Sequence, residues 1–349
     1  MTSQKSERLQ ALLNGAVDNS KVFGTSFGVV YQGEQWCGAS GNLRPSDQFF
    51  IASTTKLFVT ALVLHLRAQG ALQLDDVIAK YLPSEVIKGL HVLNQHDYSH
   101  EITIRQCLAH TSGIPDYFQL KQENGASLER QLMAGQDQFW SFERAITFSK
   151  SMKPRFKPGA KGKAHYADTN FQLLGKIIEI VTQKSLVQNY AEVIIEPLKL
   201  QATYLYSDIN DQRPQPFYYK SNPLHVPQAM ASFGADGGIV STASELMRFL
   251  QAFFAGNFFP KAYFDELKQW NAIFFPMQSG VGIHRFKLPW FFNPFGTIPE
   301  LIGHSGLSGT LAYCSVERDL YVAGTVNQVA YPSSSFRLAV SLIQKVLAK

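Results

Sequence analysis

Between Phe49 and Leu64 the chain carries a single charge, Lys56, inside Phe49-Phe50-Ile51-Ala52-Ser53-Thr54-Thr55-Lys56-Leu57-Phe58-Val59-Thr60-Ala61-Leu62. Apolar positions recurring at Leu57, Ala61, Leu62 and Leu64 predict a buried helix that begins at Ser53. Ser53 and Lys56, three residues apart, then share one face of its first turn. Burial and the positive helix end both disfavour an ammonium there, and a neutral amine beside a hydroxyl can take its proton. The same residues also suit a capped helix with a snorkelling lysine, so context has to decide.

The chain has 349 residues, enough for two or three domain-sized units, and is 45% hydrophobic and 17% charged, a globular balance. A net charge of +5 without a basic block does not point to nucleic acid. Cys37, Cys107 and Cys314 are widely spaced and read as free, buried thiols rather than a disulfide framework or zinc knuckle. Met1 to Asn19 holds no continuous apolar leader and no segment resembles a membrane span. The chain as given therefore reads as cytoplasmic, or as extracytoplasmic if a signal peptide has been removed.

In order, the patterns predict a helix over 6–17, a hairpin from Phe23–Gln32 and Trp36–Asn42, and the Ser53 helix. Helical stretches follow at 103–110, 128–132, 142–149 and 171–182, with Asp168 or Thr169 capping the last. Gly234-Ala235-Asp236-Gly237-Gly238 reads as a flexible turn, and Thr242 or Ser244 as the cap of a helix through Phe253. Strands at 281–288, 311–316 and 320–327 and a final helix over 334–347 complete the pattern. The expected architecture is α+β: a helix-flanked antiparallel sheet built from 1–72 and 230–349, a mainly helical domain at 73–229, and an active site between them.

Two patterns are set aside. Gly24-Thr25-Ser26-Phe27-Gly28 matches a nucleophile elbow, but the chain continues extended where the elbow needs a helix. His91, His96 and His100 match no zinc spacing and read as solvated loop histidines.

Two further segments carry chemistry. Tyr166, in Lys163-Ala164-His165-Tyr166-Ala167-Asp168, stands at a loop-to-helix boundary where its hydroxyl can enter a cleft. Ile302-Gly303-His304-Ser305-Gly306-Leu307-Ser308-Gly309 has three glycines that let a ligand approach a strand edge, with His304 and Ser305 as side-chain donors.

Ser53-x-x-Lys56, Tyr166-x-Asp168 and His304-Ser305-Gly306, in that order, resemble the three motifs of the serine β-lactamase and penicillin-binding superfamily. The likeness is greatest to the class C β-lactamase and D-alanyl-D-alanine carboxypeptidase branch with its related esterases. Leu108-Ala109-His110-Thr111-Ser112-Gly113-Ile114-Pro115-Asp116-Tyr117 and Gly237-Gly238-Ile239-Val240-Ser241 add to it. The resemblance implies a β-lactamase/transpeptidase-like fold and an acyl-enzyme on Ser53. It makes Lys56 the proton acceptor, Tyr166 the shuttle, and the Ser53 and Leu307 N–H groups the oxyanion hole. His304 stands where the family's Lys-Thr-Gly lysine would be, and Ser305 and Gly306 would contact substrate.

The resemblance favours a D-alanyl-D-alanine carboxypeptidase-like peptidase, with a carboxylesterase, a β-lactamase or a catalytically silent penicillin-binding protein as alternatives. It implies a small-molecule or short-peptide substrate, no metal or organic cofactor, and a monomer or weak oligomer. Asp168 replaces the family's usual Asn; facing the cleft, it would pair with Lys56, hold it charged and repel a substrate carboxylate. Arg285, in His284-Arg285-Phe286-Lys287, is a candidate cation for such a carboxylate, and Leu288 to Phe295 a candidate apolar acyl pocket.

Overall fold

A computed structural model describes residues 1–121, 125–293 and 296–348. Its main sheet is antiparallel: β1 (Gly24–Tyr31), β2 (Glu34–Gly41), β3 (Asn271–Phe274), β4 (Met277–Ser279), β5 (His284–Phe286), β6 (Leu301–Ser305), β7 (Thr310–Ser315) and β8 (Leu320–Thr325). The spatial order is β3-β4-β5-β6-β7-β8-β1-β2, so the N-terminal hairpin docks on the C-terminal meander through β1 and β8. The register there runs from Ser26 opposite Thr325 to Tyr31 opposite Leu320.

Both sheet faces are buried, which explains the near-continuous apolar strands. On one face Leu311, Tyr313, Leu320 and Val322 pack with Leu9 and Leu13 of α1 (Ser3–Ala16) and with Leu338 and Leu342 of a C-terminal helix, Ser333–Leu347. On the other, Ala312, Cys314 and Ala323 meet Met247 and Leu250 of the helix Ala243–Ala255. Thr242 starts that helix by accepting the Glu245 N–H (3.2 Å) and Gly256, at φ 79°, stops it. Beyond it lies α2 (Thr55–Ala68), buried at every position from Thr55 to Leu64.

A second, four-stranded sheet runs Tyr204–Leu205, Ile239–Ser241, Gln48–Phe50 and Pro214–Gln215, and brings residues before α2 beside the glycine-rich turn at 234–238. Helices at Ile104–Leu108, Leu128–Met133, Phe142–Lys150 and α3 (Asp168–Thr182) fall where the periodicity predicts them. The cap of α3 differs from expectation. Ala167 holds the cap position, because Thr169 Oγ1 donates to the Pro115 carbonyl (2.7 Å) and Asp168 turns inward.

Other corrections are local. The strand expected over 281–288 is shortened to β5 because Gly282, at φ 74°, is pressed against Thr60 of α2. His91 is buried, its Nε2 bonding the Phe156 carbonyl at 2.8 Å, whereas His96 and His100 are exposed. Cys107 and Cys314 are buried free thiols, while Cys37 is only half-buried. Ser26 lies mid-strand in β1 with no helix after it. Among the described residues no helix is long and apolar enough to cross a membrane.

Candidate active site

Ser53 lies in a 3-10 turn, Ala52–Thr54, that leads directly into α2. Ala52 holds φ 46°, a left-handed conformation that costs an alanine roughly 1 kcal/mol or more, so this turn is fixed by its surroundings. The surroundings are identifiable. Ser308 Oγ donates to the Phe50 carbonyl at 2.7 Å, and a Cβ on Gly306 would strike the Ile51 carbonyl, so the end of β6 is clamped on the chain entering the turn. Ser53 makes no capping bond, which leaves its hydroxyl for Lys56.

Lys56 is fully buried and donates three hydrogen bonds: to Ser53 Oγ (3.1 Å), Asp168 Oδ1 (2.6 Å) and the Asp236 carbonyl (2.7 Å). Three donors with three acceptors is the coordination of an ammonium. Its Nζ also lies 5.0 Å from the Tyr166 ring centroid and 5.4 Å from that of Phe171. The neutral lysine suggested by burial alone thus gives way to an ion pair.

Two more carboxyls surround this pair. Asp236 Oδ2 accepts from Tyr117 Oη (2.8 Å) and Gln172 Nε2 (3.1 Å); Asp116 Oδ1 accepts the Phe118 N–H (2.9 Å). Burial, followed by the Asp168 charge, pushes both well above the ordinary carboxylate range. Asp168 is the acid in direct contact with Lys56, at 2.6 Å.

On the opposite side Tyr166 joins a stack of imidazoles. His110 stacks on Tyr166 with centroids 4.4 Å apart, and His284 on His304 at 3.9 Å, the two pairs lying about 6 Å from each other. Burial lowers all three histidines, His284 to about 3, with Lys56 adding to the effect. They are therefore neutral. His304 Nδ1–H donates to the Ser305 carbonyl (2.8 Å), so Nε2 carries a lone pair and is an acceptor, not the donor expected. Burial and the Asp168 charge hold the Tyr166 phenol well above its usual value; its hydroxyl lies beside Ser53 without a hydrogen-bond partner among the described residues.

Beyond the end of β6, Leu307 N–H meets no acceptor among the described residues, and Ser53 N–H precedes the first bond of its turn, Thr54 N–H to the Ile51 carbonyl (3.1 Å). Neither has a protein acceptor among the described residues. Next to them is an open cleft, about 510 Å³ with its solvent space included, lined by Phe50, Phe118, Leu132, Met133, Phe217 and Phe233, with Ser53, Asp168, Asp236 and Leu307 also at its walls. Among the described residues no lysine or arginine lines it.

The Beta-lactamase family model matches residues 9–344, nearly the whole chain. The chain belongs to the Beta-lactamase family. Its fold and its three-motif resemblance agree with that membership. Among relatives, the D-alanyl-D-alanine-carboxypeptidase/endopeptidase AmpH of Escherichia coli is 26% identical over 70% of this chain and 57% of its own length. Protein flp of Staphylococcus aureus is 25% identical over 58% of this chain and 39% of its own length. The match thus spans well under two thirds of either curated relative. A D-stereospecific amidohydrolase from Streptomyces sp. has a solved structure with 26% identity and a TM-score of 0.76, covering 95% of this chain and 97% of that one.

Within this Beta-lactamase family fold, Ser53, Lys56, Asp168, Tyr166, His304, Ser305, Gly306 and Leu307 converge, and Arg285 does not. Its guanidinium bonds Gln278 (2.7 Å), lies 3.5 Å from Glu300 and sits 5.0 Å from the Trp270 ring, so the expected carboxylate-binding cation is neutralised elsewhere. The cleft at Ser53 is built by residues other than those expected. Of the expected segment, Leu288, Pro289 and Trp290 line a separate cleft with Phe274, whose ring lies 6.3 Å from that of Tyr166; Phe291 and Phe292 are exposed, and Pro294 and Phe295 lie outside the described residues. Sequence reasoning missed Asp236, Asp116 and His284; the first two signalled themselves only as acids within otherwise apolar or glycine-rich stretches.

Proposed function

We propose that this chain is an acyl-serine hydrolase acting on small esters and amides whose acyl part is bulky, apolar and free of a carboxylate. The observation that carries this is Ser53 Oγ, 3.1 Å from Lys56 Nζ, at the wall of an aromatic cleft whose lining, among the described residues, holds no lysine or arginine, with backbone N–H groups beside it that have no protein acceptor. Ser53 Oγ attacks the carbonyl carbon, and its proton passes to Lys56 Nζ once that amine has a free lone pair. The Ser53 and Leu307 N–H groups stabilise the resulting oxyanion. Tyr166, neutral at its raised pKa, gives its proton to the leaving ester oxygen or amide nitrogen and regains one from Lys56; water then attacks the acyl-enzyme by the reverse relay.

Peptide carboxypeptidase activity is the less favoured reading, because Asp168 and a neutral His304 supply no counter-charge for a terminal carboxylate. The likeness to a D-stereospecific amidohydrolase supports the amide reading. Intact-protein mass with p-nitrophenyl acetate and with a penicillin tests the scheme, followed by kinetics on matched esters, amides, D-alanyl-D-alanine peptides and a cephalosporin. An adduct that disappears in Ser53→Ala supports it. A folded protein that no acyl donor labels sinks it.

A further inference from the structure

Lys56 stands in the resting site in a form that cannot act as a base. Its Nζ is fully buried and donates to Ser53 Oγ at 3.1 Å, Asp168 Oδ1 at 2.6 Å and the Asp236 carbonyl at 2.7 Å, so no lone pair faces the Ser53 hydroxyl. To take the serine proton, the amine has to give up one of its own. Of its three acceptors only Asp168 can keep a proton, because the second is a peptide carbonyl and the third is the hydroxyl being deprotonated. Asp168 also lines the cleft, whereas Lys56 has no exposed surface through which to lose a proton to water.

The other titratable groups around the pair lack its contact. Asp116 accepts from the Phe118 N–H and Asp236 from Tyr117 and Gln172, and burial favours the protonated form of both side chains. Glu129, in the helix Leu128–Met133, meets the field of Asp168 without bonding Lys56, and burial raises it as well. Tyr117 and Tyr166 are phenols that burial and the neighbouring carboxylates hold in their neutral forms. His110, His284 and His304 feel the Lys56 charge but accept no bond from it.

We infer that Asp168, acting through Lys56, is the final proton acceptor in the activation of Ser53, granted the acyl-serine reading above. As the bond from Ser53 Oγ to the carbonyl carbon forms, the serine proton moves to Lys56 Nζ and a proton already on Nζ moves to Asp168 Oδ1. The π electrons of the carbonyl become those of the oxyanion, Lys56 remains an ammonium and Asp168 becomes neutral. The buried site therefore holds one cation and one anion before and after the step. Negative charge has moved from Asp168 to the oxyanion, and no buried ion is left unpaired. When the bond to the leaving atom breaks, that atom takes the Tyr166 proton, Tyr166 takes one from Lys56, and Asp168 returns its own to Lys56. A static counter-ion would do the reverse, holding Lys56 charged and opposing transfer from Ser53.

The test is pre-steady-state acylation of Ser53 by p-nitrophenyl acetate, whose leaving group needs no proton, so that the activation step is seen alone. It is followed between about pH 5 and pH 9 in the full-length wild type, in Asp168→Asn and in Asp168→Glu, with thermal melts to show that the variants are folded. Asp168→Asn keeps an oxygen for Lys56 but cannot take its proton. At about pH 6 its acylation should be about tenfold or more slower, with the acid limb of the rate moved to higher pH, because amines hold their protons to higher pH than carboxylates. The deficit should close as pH rises, and Asp168→Glu should keep the acid limb where the wild type has it. In mixtures of light and heavy water the wild-type rate should curve with deuterium content, as two moving protons require, and the Asp168→Asn rate should fall in a straight line. An Asp168→Asn protein as fast as the wild type or faster at about pH 6, an acid limb that does not move or moves equally in Asp168→Glu, or a straight line for the wild type itself overturns the inference and leaves the acyl-serine reading standing. Failure of the folded wild type to form any Ser53 adduct overturns both.

Discussion

At the residue scale, the unpartnered Tyr166 hydroxyl separates chemistry from stability. It is buried and makes no hydrogen bond that holds the fold, so Tyr166→Phe should melt within about 1 kcal/mol of the parent while losing about 10²–10⁴-fold in kcat/KM toward p-nitrophenyl acetate. A similar loss of stability and activity would show a structural tyrosine instead. Which residues matter was partly legible. Ser53, Lys56 and Tyr166 announce themselves because a hydroxyl, an amine and a phenol stand at helix starts, and Asp168 because it replaces an amide. Arg285 was conspicuous by charge alone, and the partners that neutralise it, Gln278 and Glu300, come from neighbouring strands that no local pattern reveals. Asp236 was hidden differently: its carbonyl, not its side chain, receives Lys56, and a backbone role leaves no trace in residue type.

At the element scale, the site is a junction between the end of β6 and the turn that opens α2. Gly306 sits where a Cβ would meet the Ile51 carbonyl, and the collision is with backbone, which cannot rotate away. Gly306→Ala should therefore cost about 1–3 kcal/mol in urea unfolding and slow acylation of Ser53 by more than the stability loss alone accounts for. The elements themselves were mostly readable from apolar periodicity, and the differences have local causes. Thr169 left its capping role for the Pro115 carbonyl, and Gly282 ended a strand by packing on Thr60. Neither contact has a short-range signature, because both partners are distant in sequence.

At the scale of the whole molecule, two sets of buried titratable groups give stability opposite dependences on pH. His110, His284 and His304 bind fewer protons folded than unfolded, so their contribution is complete above pH 6.5 and is lost as pH falls below it. Asp116 and Asp236 bind more protons folded than unfolded, so theirs is complete below about pH 3.8 and is lost as pH rises toward their raised values. The carboxyl slope runs from pH 3.8 upward toward the raised values, and the buried thiols Cys107 and Cys314, also raised by burial, add to it near pH 9. Asp236→Asn, which keeps an acceptor for Tyr117 and Gln172, should therefore make the melting temperature less sensitive to rising pH than in the parent. An unchanged slope in the variant would assign the effect elsewhere. None of this was visible beforehand, since burial of a histidine or an aspartate is settled by the tertiary fold.

The pairing of β1 with β8 has a consequence in time. Ser26 faces Thr325, so the β1–β2 hairpin must wait for β8, the last strand of the sheet, before β1 gains its second neighbour. Contacts of such sequence separation are slow to form. The Ser53 turn waits as well, because the strand end that clamps it, at Gly306 and Ser308, belongs to the late segment. During synthesis the nucleophile's helix is present long before the turn is held in its strained shape, and the appearance of acylatable Ser53 would mark the completion of folding rather than its beginning.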